Sequence, residues 1–330
     1  GFHSVPEINI EGCTFNTNFC RQASGGNSHT GQPYPHGGTI YVYNSANTTI
    51  SDCAILGSWS SQYQTALYYG FGGTMWLQSS TVAMNRVVIY GAGYNGYSTS
   101  TAVGNYVSGS IDVYGGSLYM TNVLHGAAYS GPILCNLANG KIEAVNCTFA
   151  GARGMRTKPG IGYVQIKGSA TFRNCIFWNN AGGDFQYVDG TQPVFNYCIT
   201  SAERDGMGNS TNNPQFAESV YFHPQSRAGR YDGGWFDGGA WVTTDAATSA
   251  SIDAGDPAMG YGAEPQPNLR RVNMGYDGGT AAASKSDCGT DPVVTEDKLM
   301  VLAYAATAIT DSGATVSADV ASTGGGDNPE

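Results

Sequence analysis

An apolar residue, two spacers and then Cys or Val recur along this chain. The pairs are Ile10/Cys13, Ile50/Cys53, Met84/Val87, Met120/Val123, Ala144/Cys147, Phe172/Cys175 and Phe195/Cys198. Asn or Asp often precedes the Cys or Val, and an apolar residue often follows two positions later, at Phe15, Ile55, Ile89, Phe149 and Phe177. A second pattern precedes the first by roughly a dozen residues, within a repeat of about 22 to 40. It reads Gly38-Thr39-Ile40-Tyr41-Val42-Tyr43, Gly73-Thr74-Met75-Trp76-Leu77-Gln78 and Gly109-Ser110-Ile111-Asp112-Val113-Tyr114, with weaker versions at 132–137, 162–166 and 184–188. Strict alternation marks strands with one buried face. Ile40, Val42, Met75, Leu77, Ile111 and Val113 are expected to point inward, and Tyr41, Tyr43, Trp76, Gln78, Asp112 and Tyr114 outward. One such strand pair cannot bury its own apolar face, whereas stacked repeats place like residues on like. The pattern predicts an all-β parallel solenoid over 1–212, with insertions at 57–72 and 91–107 as loops on one flank.

Composition agrees with β structure. The 330 residues include 47 Gly and 21 Tyr, and only 12% are charged. The net charge of -10 excludes the basic patches of a nucleic-acid binder. No apolar run reaches the ~18 residues of a membrane span. No basic-then-apolar leader is evident, so the chain reads as soluble or as a mature form. The scarcity of charge suggests an extracellular or cell-surface setting. Of eight cysteines, Cys13, Cys53, Cys147, Cys175 and Cys198 share the repeat position that Val87 and Val123 also fill. That favours an inward column of buried thiols over disulfides. Cys20, Cys135 and Cys288 lie off the column.

Chemical signals are sparse. Asp184, Asp189, Glu203, Arg204 and Asp205 are candidates for a polysaccharide-cleaving site, which needs carboxylates on one outer face. Solvated turn residues explain them as well. Asp253, Asp256 and Asp277 are candidate Ca²⁺ ligands, although turn formation accounts equally for Asp-Gly. The five His show no metal-ligand spacing. The outward aromatics Tyr41, Trp76, Tyr43 and Tyr114 form candidate binding columns. Cover by the Tyr-rich insertions, a subunit interface and a glycan platform all remain open for them.

The Gly-Gly-x-Ile and Asn-Cys-x-Phe repeats, above all Cys175-Ile176-Phe177-Trp178-Asn179-Asn180, resemble the right-handed parallel β-helix repeats of large secreted bacterial proteins. The later segments Asn213-Pro214-Gln215-Phe216, Asp253-Ala254-Gly255-Asp256-Pro257 and Asn273-Met274-Gly275 extend the likeness over roughly 8–285. The resemblance implies a right-handed β-helix with a capping segment at 213–287 that covers the last strand edges. The tail, 288–330, reads as two strands around Leu299-Met300-Val301-Leu302 and Ala314 to Val320. It resembles the start of an immunoglobulin-like or fibronectin-like module, too short for a sandwich of about seven strands. The first expectation for function is a structural protein that assembles head to tail, through its open strand edges and this tail, with copies of itself. A surface adhesin that binds polysaccharide is the alternative, and a polysaccharide lyase or hydrolase a second. Whether the chain is an enzyme stays open, with the balance against it, and no cofactor is expected unless Ca²⁺ binds.

Overall fold

The computed structural model describes residues 1–21, 38–62, 74–91, 93–96, 110–128, 134–137, 140–153, 164–166, 168–181, 183–187, 192–236, 238–287, 299–303, 307–310, 313–315 and 318–323. All regular structure among them is β, so no described helix is long and apolar enough to cross a membrane. A 15-stranded sheet dominates, and every strand pair in it is parallel.

Register follows the sequence repeat. Ile10, Ile50, Met84, Met120, Ala144, Phe172 and Phe195 pair one on the next. The preceding strands do the same through Ile40, Met75, Ile111, Leu134, Val164 and Phe185. A third row runs Phe15, Ile55, Ile89, His125, Phe149 and Phe177. A shift of one residue would turn each apolar set outward, so burial fixes this register. The six residues expected to face inward along the preceding strands are all buried in one continuous core. Toward its later repeats the core is aromatic. Phe149 stacks on Phe177 at 4.8 Å between centroids, Phe172 stacks on Phe195 at 5.3 Å, and Phe172 meets Phe177 edge-on at 5.0 Å. Such pairs contribute about 0.5–1.5 kcal/mol each beyond the area they bury.

The Asn or Asp before the repeat cysteine has a geometric cause. Gly12, Asp52, Arg86, Asn122, Asn146, Asn174 and Tyr197 all take φ between 49 and 62°. Left-handed backbone suits Gly and is tolerated best by Asn and Asp. Five residues on, Thr17, Gly57, Gly91, Ala127, Gly151 and Asn179 form a second left-handed column, with φ between 49 and 70°. The two columns are corners, and they bound the short strands Thr14–Asn16, Thr148–Ala150 and Ile176–Trp178.

Three expectations change. First, the 57–72 and 91–107 insertions open with strands rather than loops. Trp59–Gln62 pairs in parallel with Phe19–Arg21 and with Gly93–Gly96. Second, the segment at 213–287 is not confined to the last strand edge. Phe222 and Tyr276 pack with Val88, Leu124 and Ala150, while Met274 packs with Ile176 and Ile199. It therefore runs along the flank between the two corners, because that face carries apolar residues the main core does not use. Third, the described residues of the tail form four strands, not two unpartnered ones. Leu299–Ala303 pairs antiparallel with Ala318–Thr323, and Thr307–Thr310 with Gly313–Thr315. Each of these strands thus finds a partner along one edge within the tail itself.

Candidate functional site

The chemistry-bearing side chains concentrate where the 213–287 segment meets the flank. Corner asparagines hold it there. Asn122 Nδ2 donates to the Tyr276 and Gly278 carbonyls, both at 2.8 Å, and Asn146 Nδ2 donates to Gly278 O at 2.6 Å. Asn174 Oδ1 accepts from the Asp256 amide at 2.7 Å, and its carbonyl accepts from Gly275 N at 2.8 Å. Left-handed asparagines turn their amides off the corner, so one column both makes the bend and binds the flank. Gly126 and Gly151 leave room for Phe222, whose ring would lie 2.7 and 2.8 Å from a Cβ at those positions.

Beneath this seam lies a closed polar cluster. His223 Nδ1 meets Asp277 Oδ2 at 2.7 Å, and its Nε2 meets the Gly233 carbonyl at 2.9 Å. An imidazolium would donate to both oxygens, and the Tyr276 hydroxyl also lies 3.3 Å from Nδ1, while burial raises Asp277. Burial pushes His223 down, but the charge and hydrogen bond of Asp277 outweigh it and leave the group raised. The pair is almost fully buried and tied at both ring nitrogens, so it clips the segment together. Glu218 is likewise committed, accepting the amides of Val220, Tyr221 and His223. Two further carboxyls sit deep in the segment. Burial pushes Glu264 up to about 7, although its Oε1 accepts the Asn273 and Gly279 amides at 2.8 and 2.7 Å. Its Oε2 has no hydrogen-bond partner. Burial also raises Asp253 to about 6, against a 2.8 Å hydrogen bond from the Ser286 hydroxyl.

Beside Phe222 the seam opens into a cleft of about 440 Å³. The corner residues Ala127, Gly151 and Asn179 and their neighbours Ala152, Arg153, Asn180 and Ala181 form one wall, with Ser219 and Phe222 opposite. Asn180 is spent on structure. Its Oδ1 accepts from Ala152 N at 3.1 Å and its Nδ2 donates to Phe149 O at 3.0 Å. No sequence signal marked this cleft, because its two walls come from distant segments.

The residues singled out from sequence are placed differently. Trp76 does not point freely outward: it is only 2% exposed and stacks on Tyr114 at 5.6 Å. Tyr114 is 42% exposed, whereas Tyr41 and Tyr43 are half-buried, 6.3 Å apart between centroids. Asp112, expected outward, is buried. An open aromatic column is therefore reduced to Tyr114 and the edges of two tyrosines. Asp184 is buried, and its Oδ2 accepts both the amide and the hydroxyl of Ser201 at 2.6 Å, which pins the turn after the last repeat. Asp189 lies outside the described residues, Arg204 lies over the Phe185 ring at 5.1 Å, and Glu203 and Asp205 are exposed. Asp253, Asp256 and Asp277 are committed separately, to Ser286, to Arg173 at 3.6 Å and to His223. Among the described residues, no group of three or more His, Cys, Asp or Glu forms a metal-binding cluster. Cys13, Cys53, Cys147, Cys175 and Cys198 are free thiols, and all but Cys13 are buried.

No protein-family model, curated protein or solved structure matches this chain. The likeness to secreted bacterial β-helix proteins, with the start of an immunoglobulin-like or fibronectin-like module, is overturned as an assignment. The Asn-Cys-x-Phe pattern follows from left-handed backbone at the Asn and an apolar column after it.

Proposed function

We propose that the chain is a right-handed parallel β-helical solenoid with a structural role, an extracellular element that joins copies of itself head to tail. Two considerations support the solenoid. Each repeat pairs with the next along the same three rows, and parallel crossovers are almost always right-handed. The extracellular setting rests on composition, with only 12% charged residues.

The observation that carries the role is a difference between the first and last described repeats. The strands Phe2–His3, Glu7–Glu11 and Thr14–Asn16 pair only with later strands, and among the described residues their other edges have no partner. Phe2, Val5, Cys13 and Phe15 are only partly buried there. The last repeat is closed instead. Asn209 Nδ2 donates to Phe195 O at 3.1 Å, its Oδ1 accepts from Cys198 N at 3.0 Å, and Ser210 N donates to Cys198 O at 2.9 Å. An unprotected parallel edge with apolar side chains is a template for strand addition. The two tail ribbons each hold two strands, so each leaves outer edges. In this reading the tail of one copy adds to the first-repeat edge of another, a heterologous contact that propagates. Sedimentation and electron microscopy of the wild type, of Phe15→Lys and of a chain lacking 289–330 test it. Concentration-dependent assembly lost in both variants is the expected result. A wild type that stays monomeric at all concentrations, or assembly that survives the deletion, overturns the proposal.

A further inference from the structure

We propose that the flank cleft binds a small polyhydroxylated carboxylate, a sugar acid, with Arg153 as the group that receives the carboxylate. Three polar side chains converge on the cleft, Arg153, Asn179 and Ser219. All three are exposed, and among the described residues none makes a side-chain hydrogen bond or ion pair. An arginine with no partner among the described residues is notable in a chain of net charge -10. The carboxylates beside the lining residues Ser219 and Asn180 are committed elsewhere. Glu218 is bound by three amides of its own turn, and Asp184 is buried on Ser201 and Asn180.

The remaining surface suits a ring or short chain of carbons that bears hydroxyls. Phe222, Ala127 and Ala152 give an apolar floor, buried beneath the polar rim. The volume falls in the range of ~300–1,000 Å³ typical of small-molecule pockets. A guanidinium offers a planar fork that matches a carboxylate, while the Asn179 amide and the Ser219 hydroxyl can each donate to and accept from sugar hydroxyls. The cleft is held open by backbone rather than by flexible side chains. Ala127, Gly151 and Asn179 occupy the left-handed corner column, and the Arg153 amide donates to the Ala128 carbonyl at 3.0 Å.

The site is independent of assembly through the first-repeat edge, so the two proposals fail separately. Calorimetric or NMR titration with glucuronate, gluconate, glucose and inorganic phosphate tests it on the full chain. Glucuronate or gluconate should bind, glucose at least about tenfold more weakly, and phosphate likewise, since neither supplies both carboxylate and hydroxyls. Arg153→Gln should weaken sugar-acid binding by about tenfold or more, and Ser219→Ala by several-fold. Unchanged thermal unfolding of both variants would show that the loss is local. The proposal is overturned if no sugar acid binds at tens of millimolar. It is equally overturned if glucose or phosphate binds as well as the acids, or if Arg153→Gln leaves the affinity unchanged.

Discussion

Cys175 sits between Cys147 and Cys198 along the stack, and burial pushes the Cys175 and Cys198 thiols well above their ordinary range. These thiols act as small apolar groups whose S–H bonds to a carbonyl two residues back, as Cys175 does to Arg173 O at 3.3 Å. Val87 and Val123 hold the same place in other repeats without that bond. Shape therefore matters more than the sulfur at this position. Cys175→Val should change stability by less than about 1.5 kcal/mol, because the swap nearly conserves volume. Cys175→Ser should cost more, since its shorter, more polar group is poorly served by this geometry. Urea unfolding midpoints of the two variants check this, and equal losses would contradict it. The wild-type thiols should also resist a thiol reagent in the native state and react together on unfolding.

At the scale of elements, the flank segment is held by titrating groups that share one sign. Glu264 and Asp253 are raised to about 7 and about 6, and His223 is raised by Asp277. A raised group contributes stability that is complete below its unfolded pKa and lost as pH rises through its folded one. The Glu264 contribution is thus present near pH 4.5 and gone above about pH 7, and its size is on the order of 3 kcal/mol. The His223 contribution begins to fall above pH 6.5, the ordinary value for histidine. Thermal unfolding of the wild type should weaken from pH 4.5 to 8, and Glu264→Gln should flatten that slope. A wild-type curve that rises over this interval would show that Glu264 does not control the seam. Little of this was legible beforehand. The row from Ile10 to Phe195 could be read because alternation and spacing encode it locally. The flank could not, since Phe222 on Gly151, or His223 on Asp277, has no period in the sequence. The corner asparagines lie between these cases: their recurrence before Cys was visible, but their left-handed backbone and their grip on the flank were not.

For the whole molecule, each strand of the parallel sheet pairs with its immediate neighbours, and in the proposed solenoid stability would be a sum of local terms and nearest-neighbour interfaces. The flank segment breaks that uniformity. Its apolar contacts reach from Val88 to Ile199, and its hydrogen bonds gather Asn122, Asn146 and Asn174. Among the described residues, the first repeat receives none of this support. Opening should therefore be graded along the chain rather than all-or-none. In native-state hydrogen exchange, amides of Ile111–Gly126 and Lys141–Val145 should be the slowest, while those of Glu7–Glu11 and Thr14–Asn16 exchange first. Gly151→Ala tests the cause. A Cβ there would meet Phe222 at 2.8 Å from a backbone already at φ +70°. The variant should lose on the order of 1–3 kcal/mol, and its exchange should quicken in the middle repeats while the first repeat is unchanged. A uniform acceleration across all repeats would mean that the stack opens as one unit and that the flank does not divide it.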